Sequence, residues 1–248
     1  MKDAQTRLRH FAQQVARLRQ APTASKPYVA AIKHFQRDRL ARSHSDLLQS
    51  ERYRLAARFF LDELYGAKDF SSRDAELARM IPSMSRLLPS SALGAIADAV
   101  ELDAISEQLD DAMAQRLQAG APAERFGGSD AGATAGALTD ERYFDLYRAT
   151  GEPELRARQI ALIEDVGREL DRLLGKPFLY RILKTMEGPA RLAGLGQMQA
   201  FLVSGFVAFR AMRGSDEFIR TIVTRERLLM EQIFAGGPVP AVTTGAEK

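Results

Sequence analysis

Apolar residues recur at intervals of three and four along almost the whole of this chain. Leu8, Phe11, Val15 and Leu18 follow 3,4,3 spacing within residues 4–20, the signature of a helix that buries one narrow face. Tyr28, Ile32 and Phe35 predict a second helix over 27–41, and residues 45–65 read as a third. Leu77, Met80, Ile81, Met84, Leu87 and Leu88 share one face of a fourth. Ser71 stands where it can cap that helix, with Asp74 as its capping-box partner. Pro82 predicts a kink or break there, because proline removes a backbone donor and crowds the carbonyl of Ala78.

Beyond Pro89 and a capping Ser90, the pattern predicts a long helix over 91–118. Leu93, Ile96, Val100, Ile105, Leu109, Met113 and Leu117 form its inner face, and Asp98, Glu101, Asp103, Glu107, Asp110 and Asp111 its outer face. Residues 119–138, AGAPAERFGGSDAGATAGAL, hold five glycines and few apolar anchors, so a flexible loop is expected. Helices resume at 139–150, 153–174, 177–187, 190–213 and 215–235, separated by glycine- and proline-containing breaks. No stretch alternates apolar and polar with period two for long enough to propose a strand. The expected fold is all-α: a bundle of about ten helices forming one domain over 1–236, followed by a frayed Pro/Gly-rich tail at 237–248.

Between Arg191 and Arg210 lie eighteen residues without a charge, LAGLGQMQAFLVSGFVAF. Their length approaches a membrane span, but Gln197, Gln199, Ser204 and three glycines interrupt them. A helix buried at the centre of the domain is the better reading, with Gly194, Gly196 and Gly205 allowing close approach of a neighbour or room for an apolar ligand.

Charge changes the picture of the N-terminal part. Net charge is only +3, yet residues 1–60 carry thirteen basic side chains against four acidic ones. The remainder is correspondingly acidic. Such asymmetry marks either an anionic partner or a basic part that docks on the protein's own acidic part. The acidic helix 91–118 makes the second reading the expectation, and a protein partner on the basic N-terminal surface a further one. No nucleic-acid module is recognisable, so nucleic acid is not an expected partner.

The most concentrated aromatic run is RFFLDELYGAKDFSSRD, residues 58–74. On a wheel of about 100° per residue, Leu55, Phe59, Ala56, Phe60, Tyr53, Leu64, Ala57 and Leu61 fill a broad apolar arc. Asp62 falls in the polar sector, four residues after Arg58. Glu63 points between Phe59 and Ala56, where an ionised carboxylate needs a partner. Glu63 is expected to pair with an arginine, for which Arg52 and Arg73 are the candidates, or to cap another helix's N-terminus; the functional alternative is a ligand-contacting or proton-handling acid. Phe59, Phe60, Glu63, Tyr65 and Arg73 are therefore the positions of interest, structural or binding.

The stretch FFLDELYG at 59–66 resembles the signature of the bacterial FFLEELY motif proteins, departing from it only at Asp62. The resemblance spans most of the chain and implies no activity and no site residues.

Chemical constellations are sparse. There is no cysteine, which removes disulfides, thiolate metal sites and cysteine nucleophiles and fits a reducing compartment. His10, His34 and His44 form no Glu-x-x-His or His-x-x-x-His pair, and neither a nucleophile elbow nor a phosphate-binding glycine loop is present. GLGQMQA at 194–200 follows no strand and is not a dinucleotide loop. No catalytic residue, cofactor or metal is expected. The N-terminal segment spreads its charges and lacks an apolar core, so it is not read as a secretory signal and the cytoplasm is the expected location. The leading functional expectation is a non-enzymatic protein-interaction or regulatory role. The alternative is a binder of an apolar small molecule or lipid in a cavity walled by 190–213; an enzyme of unknown reaction is weaker still.

Overall fold

A computed structural model describes residues 2–21, 23–66, 70–120 and 138–236. Among them are twelve α-helices and no strand. They are α1 (Lys2–Gln20), α2 (Lys26–Ser43), α3 (Ser45–Gln49), α4 (Arg54–Phe59), α5 (Ser71–Leu87), α6 (Ser90–Ala119), α7 (Asp140–Thr150), α8 (Pro153–Leu174), α9 (Pro177–Thr185), α10 (Glu187–Leu192), α11 (Gly196–Ala211) and α12 (Asp216–Ala235). A π-helical turn, Phe60–Leu64, continues α4. The fold is an all-α multi-helix bundle. The loop expected at 119–138 and the tail at 237–248 lie outside the described residues, except that Ala119 and Gly120 close α6 and Leu138 leads into α7.

Helix α6, thirty residues long, is the axis. At 1.5 Å per residue it spans about 45 Å. It packs on α1, α2, α7 and α8. Its first half joins Leu8 of α1 and Ile81 of α5 around Leu93, Ala97 and Val100. Its last half, through Met113, Ala114 and Leu117, packs on Tyr28, Ile32 and Phe35 of α2, Tyr143 and Phe144 of α7 and Ile233 of α12. A third core joins α3, α4, α8, α11 and α12 around Met212 and Phe218, both fully enclosed.

The acidic face of α6 is not an outer face. Glu101, Glu107 and Asp110 are buried, because the basic helices lie on them. Arg7 reaches Asp98 at 2.7 Å and also Glu101. Arg19 reaches Asp103 at 2.6 Å, Glu107 at 2.8 Å and Asp74 of α5 at 2.5 Å. Lys33 of α2 pairs with Glu107. Much of the N-terminal charge thus meets the chain's own acids, which supply the Coulombic return that burial of α6 carboxylates requires.

Four local expectations are corrected. The third helix is interrupted by a turn at Glu51–Tyr53, so α4 restarts at Arg54 with a new phase; Leu55 is 48% exposed, and the inward positions are Ala56 and Ala57. At Pro82, where a kink or a break is expected, α5 continues through the proline and so is not broken. Phe70 rather than Ser71 is the N-cap of α5, with no side-chain cap, and Asp74 is engaged by Arg19. The apolar run 190–213 divides into α10 and α11 around Gly194, whose φ of +66° suits glycine. Helix α11 is not central: it buries Met198, Gln199, Ala208 and Phe209, while Val207 is exposed.

Candidate functional site

The five positions singled out in the sequence do not form one site, and the π turn is the reason. The Tyr65 amide donates to the Phe60 carbonyl at 3.0 Å, an i to i+5 bond that widens the turn by one residue. Directions assigned at 100° per residue cease to hold from Phe60 onward. Gly66 closes the turn at a point where a Cβ would collide with the Asp62 carbonyl oxygen.

Phe59 turns toward α11, its ring 5.4 Å from that of Phe201 and filling the notch over Gly205. The space that Gly205 leaves is therefore occupied by Phe59. Phe60 enters the core, 5.8 Å from Phe209 and 5.6 Å from Phe218. Asp62 is exposed as expected, but its partner is Arg37 of α2 at 2.9 Å rather than Arg58. Glu63 is half-buried rather than enclosed. Of its two candidate partners, Arg73 is the neighbour: its guanidinium donates to the Glu63 carbonyl oxygen at 3.0 Å. The same guanidinium lies 4.1 Å from the Phe70 ring centroid and 4.8 Å from that of Phe201. Burial lowers the Arg73 pKa, against the opposing charges of Asp103, Asp74 and Glu63. Arg52 is engaged elsewhere, donating to the Met212 carbonyl at 2.7 Å.

Tyr65 points the other way, into an ionisable centre shared by α2, α6, α7, α8 and α12. Arg39 and Glu226 form its bidentate pair at 3.0 and 2.7 Å. Burial works against both ions, yet each holds the other charged: the Glu226 carboxyl is kept below its usual range by Arg39. Burial raises the Tyr65 phenol pKa, with the Glu226 charge adding to it. Asp110 accepts from Gln36 at 2.8 Å, and burial pushes its carboxyl up to about 6. Arg156 stacks over Tyr147 at 3.4 Å and donates to the Gly151 carbonyl at 3.2 Å. Tyr143 stacks on Phe35 at 4.6 Å. Burial lowers the His44 pKa by disfavouring its charged form, and Nδ1 contacts the Leu40 carbonyl oxygen at 3.1 Å. Arg39 Nε, His44 Nε2 and Arg156 Nη2 are buried without a partner among the described residues.

Within this centre the Arg39–Glu226 pair joins α2 to α12 and the Gln36–Asp110 bond joins α2 to α6. Among the described residues no group of three or more His, Asp or Glu side chains is arranged to hold a metal. The sequence reading missed it, although Arg39 continues the spacing of Tyr28, Ile32 and Phe35 and so announces an inward cation.

A second feature lies on α9, α10 and α11, which pack on one another. Ile182 and Met186, one helical turn apart, are about half exposed, Val207 is exposed, and Leu192 is 92% exposed. Tyr180 of α9 stacks on Phe206 of α11 at 5.3 Å. Residues 175–215 carry six basic side chains, Lys176, Arg181, Lys184, Arg191, Arg210 and Arg213, against one acid, Glu187. All six are exposed. Two cavities elsewhere, of about 80 and 400 Å³, are lined by Glu164, Arg168 and Ser215 and by Gln115, Thr150 and Glu152 respectively. Neither draws a wall from 190–213.

The molecule is thus a helical protein with apolar cores and buried ion pairs and with exposed aliphatic and basic side chains on α9, α10 and α11. Residues 15–240 match the model of a domain of unknown function, DUF8198, and the chain belongs to that family. No curated protein and no solved structure matches the chain.

Proposed function

We propose that this protein is a non-enzymatic interaction or regulatory protein that docks through the apolar, basic-rimmed face of α9, α10 and α11. The observation that carries the reading is Leu192, an aliphatic side chain 92% exposed on a helix that packs against the helix bearing the exposed Ile182. Exposed aliphatics that cluster across packed elements mark interaction surfaces, whereas isolated ones carry no such meaning. The proposal takes residues 1–236 as one unit and places the protein in the cytoplasm. The likeness of residues 59–66 to the FFLEELY signature supports assigning it to that bacterial group.

The basic N-terminal surface is the lesser candidate for a partner, because Arg7, Arg19, Lys33 and Arg39 are engaged by acids of α5, α6 and α12. On this proposal Phe59, Phe60, Glu63, Tyr65 and Arg73 are structural: Phe59, Phe60 and Arg73 pack on Phe201 and Phe209 of α11, Glu63 holds Arg73 through its backbone carbonyl, and Tyr65 belongs to the buried ionisable centre. Affinity capture from native cells tests the reading by comparing the wild-type chain with an Ile182→Glu/Leu192→Glu variant. The variant should fold normally and lose what the wild type retains. Unchanged retention would overturn the proposal.

A further inference from the structure

The α9–α11 face has a chemistry that selects among occupants. Its aliphatic side chains are carried by three separate helices and the turns between them, not by one continuous stripe. They therefore do not present the i, i+3, i+4, i+7 lining that receives a partner helix. Leu192 at 92% exposure projects from the surface, so it enters whatever covers it. A fluid apolar phase accepts such scattered, projecting side chains without a matching pocket.

The charges of the same segment agree with that. Lys176, Arg181, Lys184, Arg191, Arg210 and Arg213 are all exposed. Their long stems let ammonium and guanidinium groups reach phosphates while aliphatic neighbours insert. Within 175–215 the one opposing acid is Glu187, which pairs with Arg191 at 3.3 Å. Arg79 of α5 supports the turn from α10 to α11 by donating to the Gly194 carbonyl at 2.5 Å. Among the described residues no helix is long and apolar enough to cross a membrane.

From the exposure of Leu192, Ile182, Met186 and Val207 on three mutually packed helices whose segment carries six exposed basic side chains and one acid, we infer that the α9–α11 region lies on an anionic lipid surface, inserting its aliphatic side chains among the headgroups. This inference rests on the reading of the same face as the docking surface. Combined insertion and charge attraction is the pairing of weak signals that gives stable peripheral binding.

Sedimentation of the purified full chain with vesicles tests it. The chain should pellet with equimolar phosphatidylglycerol and phosphatidylcholine and not with phosphatidylcholine alone, and binding should weaken as salt rises. Ile182→Glu/Leu192→Glu and Arg181→Glu/Lys184→Glu should each lower partitioning by about tenfold or more, with helical content unchanged by circular dichroism. Arg9→Glu/Arg17→Glu, on α1, should leave it unchanged. Failure to bind anionic vesicles, or binding that only the α1 variant abolishes, overturns the inference. If vesicles are ignored while native-cell capture of a protein still depends on Leu192, the membrane assignment falls and the docking face stands. If neither vesicle nor partner depends on this face, both readings fall.

Discussion

Replacing Asp110 by asparagine should stabilise this protein at neutral and alkaline pH. The side chain is 5% exposed and accepts from Gln36, an interaction that an asparagine oxygen can keep. Burial raises its carboxyl from an ordinary 3.8 to about 6, with the Glu107 charge adding to the rise and Lys33, Gln36 and Arg156 opposing it. Tyr143 of α7 and Tyr65 face the same region. A carboxyl that holds its proton more tightly in the folded state than in the unfolded one favours folding at low pH. That advantage is complete below about 4 and is lost as pH rises through about 6. At about 1.4 kcal/mol per tenfold change in proton affinity, the interval corresponds to about 3 kcal/mol of destabilisation above pH 7. The attraction of Lys33 is already inside that figure. Urea unfolding of wild type and Asp110→Asn at pH 8 and pH 4.5, with equal m-values, measures it. The variant should be more stable at pH 8 by up to about 3 kcal/mol, with most of the difference gone at pH 4.5. A variant less stable than wild type at pH 8, or a difference independent of pH, would refute the reasoning.

Further outcomes follow from the same geometry. Glu226→Gln leaves the Arg39 charge buried without a counter-ion and should lower stability by about 3 kcal/mol or more in denaturant titrations; because Arg39 holds the Glu226 carboxyl low, the stability it provides should fade as pH falls through its folded value. Gly66→Ala drives a Cβ into the Asp62 carbonyl, and calorimetry should show a lower Tm equivalent to about 1–3 kcal/mol. Asp62→Ala removes an exposed pair with Arg37 and should cost about 0.5 kcal/mol or less in urea unfolding.

What the sequence disclosed, and what it withheld, divides along physical lines. Periodicity locates helices wherever one face is apolar: α8, Pro153–Leu174, begins and ends where the pattern says. The pairing of the basic N-terminal helices with the acids of α6 was legible from charge alone, since opposite surpluses within one chain have each other as nearest partners. Periodicity fails where the backbone departs from 3.6 residues per turn. The π turn at Phe60–Leu64 moved Glu63 from an enclosed position to a half-buried one, and the turn at Glu51–Tyr53 exposed Leu55. Hydrophobicity also misleads about centrality. The uncharged run 192–209 lies on a flank, while the central helix α6 is the more acidic one: it buries Leu93, Val100, Ile105, Leu109, Met113 and Leu117 while Arg7, Arg19 and Lys33 of other helices pair with its carboxylates. The open face of α9–α11 could not be read ahead of the fold, since amphipathic spacing is the same whether the apolar side meets a core or a partner.

The central claim, that this face is the surface the protein uses, is tested most directly by photocrosslinking in living cells. A benzophenone amino acid at position 192 should give an adduct, lipid or protein, while the same group at position 154, exposed on α8, should give none. Equal labelling at the two positions, or none at 192, would contradict the account.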